Sequence, residues 1–224
     1  MPRDIMKNWD SDGRESAVSF PWISKHIRPP IPLKERVSQS IYRLKSQQTR
    51  LENSILRMQR HDKNLFDKCV SAQMAKDTSR AALYASECAE IRKMASIALR
   101  CQLALEQVTL RLETIREFGD IASTMGPVAD VVRAIKSQIS GVIPEVSYEL
   151  GEIGETLNSV VIEVGQATGQ SYDDVAFNQE AQKILGEATV VAEQKMLEKF
   201  PDLPRVSTPY RVKASEAGAD QYPV

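Results

Sequence analysis

The chain has 224 residues, 42% of them hydrophobic but only 6% aromatic, which allows one or two domains and favours helical packing over a large globular core. No apolar run approaches the ~18 residues of a membrane span, and no signal-peptide core is visible, so a cytosolic protein, peripheral on a membrane at most, is expected. The formal net charge of −1 hides a division: residues 1–118 hold 21 Lys and Arg against 14 Asp and Glu, and residues 119–224 hold 8 against 16. Such a chain is able to bind an anionic surface with one half and mask it with the other; a salt-bridged bundle with no anionic partner is the plainer reading.

Residues 1–32 contain Pro2, Pro21, Pro29, Pro30 and Pro32 and read as an irregular arm. Within it lies VSFPWISKHI, where Phe20, Trp22, Ile23 and Ile27 are apolar and Lys25, His26 and Arg28 are cationic. An aromatic ring beside basic residues suits a membrane interface, with the cations at anionic headgroups. The other reading is an arm that folds back and packs its aromatics on the helices.

Residues 33–70 predict a long helix. Val37, Ile41, Leu44, Gln48, Leu51, Ile55, Met58, Asp62, Leu65 and Cys69 alternate by four and three, a coiled-coil seam interrupted by two polar residues. Arg36, Arg43, Arg50 and Arg57 recur every seven residues on the outer face, a ladder with ~10 Å steps. Lys34 and Lys45 add to this basic helix. Charge runs usually mark a solvated face. Four cations in register without acidic partners one turn away instead suggest a surface for lipid headgroups or for the acidic face of a neighbouring subunit.

The segment 71–79 (SAQMAKDTS) is the expected hairpin tip, with Thr78 or Ser79 as cap of the next helix. Residues 80–118 hold no Pro or Gly and predict one helix roughly 58 Å long at ~1.5 Å per residue. Ala98, Cys101, Leu105, Val108, Leu112 and Ile115 form its seam, and Leu99, Leu103 and Leu110 widen it. A helix apolar over so much of its surface needs more than one neighbour.

Gly119 and Gly126 break the chain, and Pro127 is placed to open a short helix running to about Ser140. Gly141 ends it and Pro144 opens the next, carrying Glu145, Glu149, Glu152, Glu155 and Glu163. Gly151, Gly154 and Gly165 each weaken this helix by ~1 kcal/mol relative to Ala, so a movable acidic helix is expected over 144–165, the alternative being a short helix packed on the hairpin; the segment 119–170 as a whole is read as short acidic helices. Ser171 and Asp174 resemble a capping box for a last helix over 171–199. The tail, 200–224, opens with FPDLP, then Arg205, Val206 and Pro209. Strips of this kind suit a groove of a partner domain, although most proline-containing tails are linkers.

Cys69, Cys88 and Cys101 fit neither a zinc site nor a disulfide framework and read as buried hydrophobes of a reduced compartment. No phosphate-binding loop, HExxH or CxxC is present, and His26 and His61 lie far apart. No enzyme, metal or cofactor is expected, and no nucleic-acid partner.

EIRKMASIALRCQLALEQVTLRLETI, with the Ala-rich RAALYASECA before it, resembles the second helix of the archaeal ESCRT-III proteins, the CdvB group. The resemblance extends over roughly 33–206 in element order. It implies an all-α fold: a long antiparallel two-helix hairpin over 33–118, then shorter acidic helices that fold back on it in a closed monomer. It implies that opening lets hairpins pack side by side, as homo- or hetero-polymers with paralogues, into filaments that remodel an anionic membrane in archaeal cell division. Ala98, Leu99, Leu103, Leu105, Val108, Leu112 and Ile115 would then be covered by the C-terminal helices in one state and by a neighbour in the other. FPDLPRV looks like the proline-rich motif by which the family's tails bind the MIT domain of an AAA ATPase, with Phe200, Pro201, Leu203, Pro204 and Val206 carrying the match. The division site, on the inner face of the cell membrane, is the implied location. The alternative is a soluble helical adaptor or coiled-coil dimer with no membrane role.

Overall fold

The computed structural model describes residues 32–118, 125–168 and 174–201. Five helices follow one another: α1 (Leu33–Met74), α2 (Thr78–Phe118), α3 (Met125–Ile139), α4 (Pro144–Thr168) and α5 (Asp174–Lys199). Among the described residues there is no strand. The all-α expectation and the long hairpin are therefore both present.

Helix α1 starts where Pro32, which cannot donate, offers its carbonyl to the Glu35 and Arg36 amides at 3.0 and 3.1 Å. It runs on to Met74, past the expected end at 70, because nothing in SAQM opposes a helix. The turn is correspondingly short. Lys76 takes a left-handed backbone (φ 58°), a conformation usually left to glycine. Its amide and that of Asp77 bond back to Gln73 and Ala72, closing the last turn of α1. The cap of α2 is Asp77 rather than Thr78 or Ser79: its Oδ1 accepts the Arg80 amide at 3.1 Å.

The two long helices pack along the expected seam. Val37, Ile41, Leu44, Leu51, Ile55, Leu65 and Cys69 of α1 are buried, as are Ala98, Cys101, Leu105, Val108, Leu112 and Ile115 of α2. Both polar interruptions have partners on α2. The Gln48 side-chain amide donates to the Leu105 carbonyl (2.9 Å) and to Thr109 Oγ1 (2.7 Å). Asp62, 2% exposed, accepts two bonds from Arg92, at 2.7 and 3.0 Å. A slip of the helices would strand each of these groups without a partner, so they fix the register.

Helix α3 is the most enclosed element. Met125, Val128, Ala129, Val131, Val132, Ile135 and Ile139 are all buried, and it packs on α2, α4 and α5. It begins two residues before Pro127, which fits because the first-turn amides have no intrahelical partner to lose. Helix α4 lies along α1 and α3, and α5 along α2 and α3. Gly151 of α4 lies beside the Lys136 side chain of α3, where a Cβ would come within 3.2 Å of Nζ. The wide apolar face of α2 thus has α1 on one side and α3 with α5 on the other. Leu99 and Leu103 are buried there, while Leu110 stays exposed.

Candidate functional site

Three features that sequence singled out have positions among the described residues: the arginine ladder, the apolar face of α2, and the start of the tail. The arm residues Phe20, Trp22, Ile23 and Ile27 lie outside the described residues, as do Leu203, Pro204 and Val206.

Heptad spacing puts Arg36, Arg43, Arg50 and Arg57 on the side of α1 away from the seam, the expected outer face. The structure places α4 beside that edge, because α1 has a second neighbour that a two-helix pattern does not reveal. Helix α4 runs antiparallel to α1. Arg36 Nη1 donates to Glu163 Oε2 at 2.5 Å and Arg36 Nη2 to Ser159 Oγ at 2.5 Å. Arg43 Nη2 donates to Glu149 Oε2 at 3.1 Å. Arg50 and Arg57 line a shallow groove with Ile143 and Glu145, at the start of α4. The acidic face facing the ladder is therefore the chain's own. Both ladder ion pairs keep part of their surface in water, so each contributes little energy; α4 is held chiefly by Leu150, Ile153, Leu157 and Val160 in the core. Lys45 pairs instead with Glu113 of α2 at 2.6 Å. Lys34 is exposed at the start of α1.

Ala98, Leu99, Leu103, Leu105, Val108, Leu112 and Ile115 belong to one core with α3, α4 and α5. Polar contacts edge this cover: Arg111 of α2 pairs with Glu180 of α5, and Gln107 Nε2 donates to Glu187 at 3.5 Å.

Sequence reasoning overlooked Arg92. The guanidinium closes on Asp62, stands 5.7 Å from the centroid of the Phe200 ring, and donates through Nη1 to the Pro201 carbonyl at 2.5 Å. The available signal was Asp62 itself: a carboxylate in an apolar seam demands a cation on the opposite helix. Phe200 was expected to begin an extended peptide. It is instead 6% exposed, and its amide still bonds to the Met196 carbonyl at 3.0 Å, as in the last turn of α5.

All three thiols are buried and unbridged. Burial, and then the Asp62 carboxylate, push the Cys88 thiol up to about 11; burial pushes Cys101 up to about 12. Thiols held protonated in this way are poor nucleophiles and poor metal ligands. Among the described residues no cluster of His, Cys, Asp or Glu could hold a metal ion, and no helix is long and apolar enough to cross a membrane.

No protein-family model matches the chain, and no solved structure matches it. Its relatives include three proteins of Sulfolobus acidocaldarius. Cell division protein B1 is 53% identical over 77% of this chain and 81% of its own length. Cell division protein B is 34% identical over 78% of this chain and 67% of its own length. Cell division protein B3 is 28% identical over 52% of this chain and 68% of its own length. With the five-helix order and long hairpin already in place, identity of 53% over most of both chains shows that this chain belongs to the cell division protein B (CdvB) family of ESCRT-III proteins.

Proposed function

We propose that the chain acts in cell division as a non-enzymatic, filament-forming subunit that remodels an anionic membrane at the division site. Similarity to cell division proteins B1 and B supports the cell-division part of this reading. The occurrence of several such proteins in one organism favours polymers that include paralogues as well as copies of one chain.

One observation carries the filament and membrane part: the C-terminal helices between them cover two different surfaces of the hairpin. Helix α4 sets Glu149 and Glu163 against the ladder arginines, while α3 and α5 cover the apolar face of α2. Lifting them would expose a cationic edge and an apolar face together. A cationic edge attracts anionic lipid, and a wide apolar face must find another helix. The arm, with Phe20, Trp22, Ile23 and Ile27, would add an interfacial anchor. The FPDLPRV tail would engage the MIT domain of an AAA ATPase able to pull subunits from the polymer.

The experiment compares the full chain with a chain ending after Gly141, by negative-stain microscopy and by sedimentation with anionic vesicles. The full chain is expected to remain monomeric and the shortened chain to assemble and sediment with vesicles, less so as salt rises. A shortened chain that stays monomeric and unbound would support a helical adaptor instead.

A further inference from the structure

The closed chain treats the two halves of its arginine ladder differently. Arg36 and Arg43 are neutralised by Glu163 and Glu149 of α4. Those pairs set an antiparallel register, and one heptad beyond Arg43 that register runs off the start of α4 at Pro144. Arg50 and Arg57 therefore stand beside the turn between α3 and α4, along a shallow groove whose single acid is Glu145. Both are exposed, and neither forms an ion pair among the described residues. The bond from Arg57 Nη2 to Ser54 Oγ (2.8 Å) leaves the charge of the guanidinium uncompensated. Further along the outer side of α1, Arg60 and Lys63 are also exposed and unpaired among the described residues. Of the acids between residues 50 and 68, Asp62 is taken by Arg92 and Glu52 sits at the flank of the seam, which leaves Asp67. Four cations thus face outward over about 20 Å of helix at ~1.5 Å per residue. Leu56, 41% exposed, lies among them.

We propose that the closed chain docks on an anionic lipid surface through Arg50, Arg57, Arg60 and Lys63, with α3, α4 and α5 still in place. The proposal rests on the membrane reading above and divides the ladder between two states. Charge complementarity selects the partner: four uncompensated cations meet one acid on this side of the helix. Shape points the same way. The strip lies on the outside of one straight helix, so it fits a flat charged surface rather than an enclosed ligand. An open leucine among cations suits the headgroup region, where apolar and charged groups are both accommodated.

Arrival at the membrane then needs no opening. Lifting α4 would lengthen a contact already made, by adding Arg43 and Arg36 on the same line of the helix. The far half of the ladder recruits the chain, and the near half is held in reserve by the carboxylates of α4.

The test sediments the full chain, at a concentration at which it stays monomeric, with phosphatidylglycerol-containing vesicles and with phosphatidylcholine vesicles. Binding to the first and not to the second is expected, weakening steeply as salt rises. A Lys or Arg near such a surface changes affinity about fivefold, so Arg50→Gln with Arg57→Gln should weaken full-chain binding about twenty-five-fold, and Arg60→Gln with Lys63→Gln by a similar factor. Arg36→Gln with Arg43→Gln should change it by no more than about threefold, because α4 already neutralises both. Arg50→Lys with Arg57→Lys should keep binding, since a flat anionic surface reads charge rather than guanidinium geometry. All four variants should melt with the wild type. Equal losses for the near and far pairs overturn the proposal, since they mean that only opened molecules bind. So does equal sedimentation with phosphatidylcholine, or a loss of binding in the lysine variant. A full chain that stays in the supernatant while the chain ending after Gly141 sediments also overturns it, and leaves the membrane reading standing. Failure of both chains to sediment removes that reading and the proposal with it.

Discussion

The two ends of the hairpin are built differently. The end near residues 33–57 and 98–118 has large side chains in its core, among them Leu44, Leu51, Leu105, Leu112 and Ile115, because α3, α4 and α5 form a further layer over it. Among the described residues the end near the turn has no such layer. Its buried residues form two small clusters, Leu65 with Cys88 and Ile91, and Cys69 with Ala72 and Ala81. The second cluster is built from small side chains, and both bury little area, so this end leans more on polar fasteners. Asp62 with Arg92 is the main one. The Cys69 thiol also donates to the Ala81 carbonyl (3.4 Å), and the Cys88 thiol to the Asp62 carbonyl (3.7 Å). The covered end takes its stability from buried area; the end near the turn is pinned in register by the polar contacts between α1 and α2.

Ile135→Asp should have the largest effect on this contrast. Ile135 is fully buried at the centre of α3, and a carboxylate there is desolvated without a partner. A loss of more than about 4 kcal/mol at the covered end is expected, seen as rapid hydrogen exchange in α3–α5. The far end of the hairpin should keep its protection. Collapse of protection everywhere would show that the two ends unfold as one.

Asp62→Ala attacks the other end. It leaves Arg92 partly buried without its carboxylate, at a cost of ~3–5 kcal/mol. Exchange should quicken around the turn, and the Phe200 contact should loosen, while α3 stays protected. Denaturant unfolding with the wild-type midpoint would remove Asp62 from the role of fastener.

Arg36→Glu tests how much the ion pair adds to the hold on α4. It replaces attraction to Glu163 by repulsion at a partly exposed site, so a loss of about 1 kcal/mol is expected, smaller at high salt. In vesicle sedimentation of the chain ending after Gly141, the same change, extended to Arg43, Arg50 and Arg57, should abolish binding to anionic lipid. Undiminished sedimentation would take the ladder out of the membrane reading.

The smallest effect concerns the thiols. Folded-state values raised to about 11 for Cys88 and about 12 for Cys101 mean that folding favours the protonated forms. Their contribution to stability is full below the ordinary value of 9.0, and it is lost as pH rises toward 11 to 12. At neutral pH an alkylating reagent should modify Cys101 only at the rate of opening of the covered end, and Cys88 at that of the far end. Equal rates would erase the distinction between them.

Sequence by itself determined the helices and the seam. Periodicity and the absence of Gly and Pro are local properties, and they located α1, α2 and the apolar width of α2 to within a few residues. The charge division between the two halves was equally legible, because it is only a count. The neighbour of each face was decided by tertiary structure. The ladder residues Arg36 and Arg43 looked outward because a heptad names one partner and α1 has two. The capping of α2 by Asp77 depended on a left-handed Lys76, a conformation that lysine does not announce. Arg92 carried no pattern of its own. Its role exists only where α1, α2 and the end of α5 meet, since Asp62, Phe200 and Pro201 are 30 or more residues away in sequence and are brought together by packing alone.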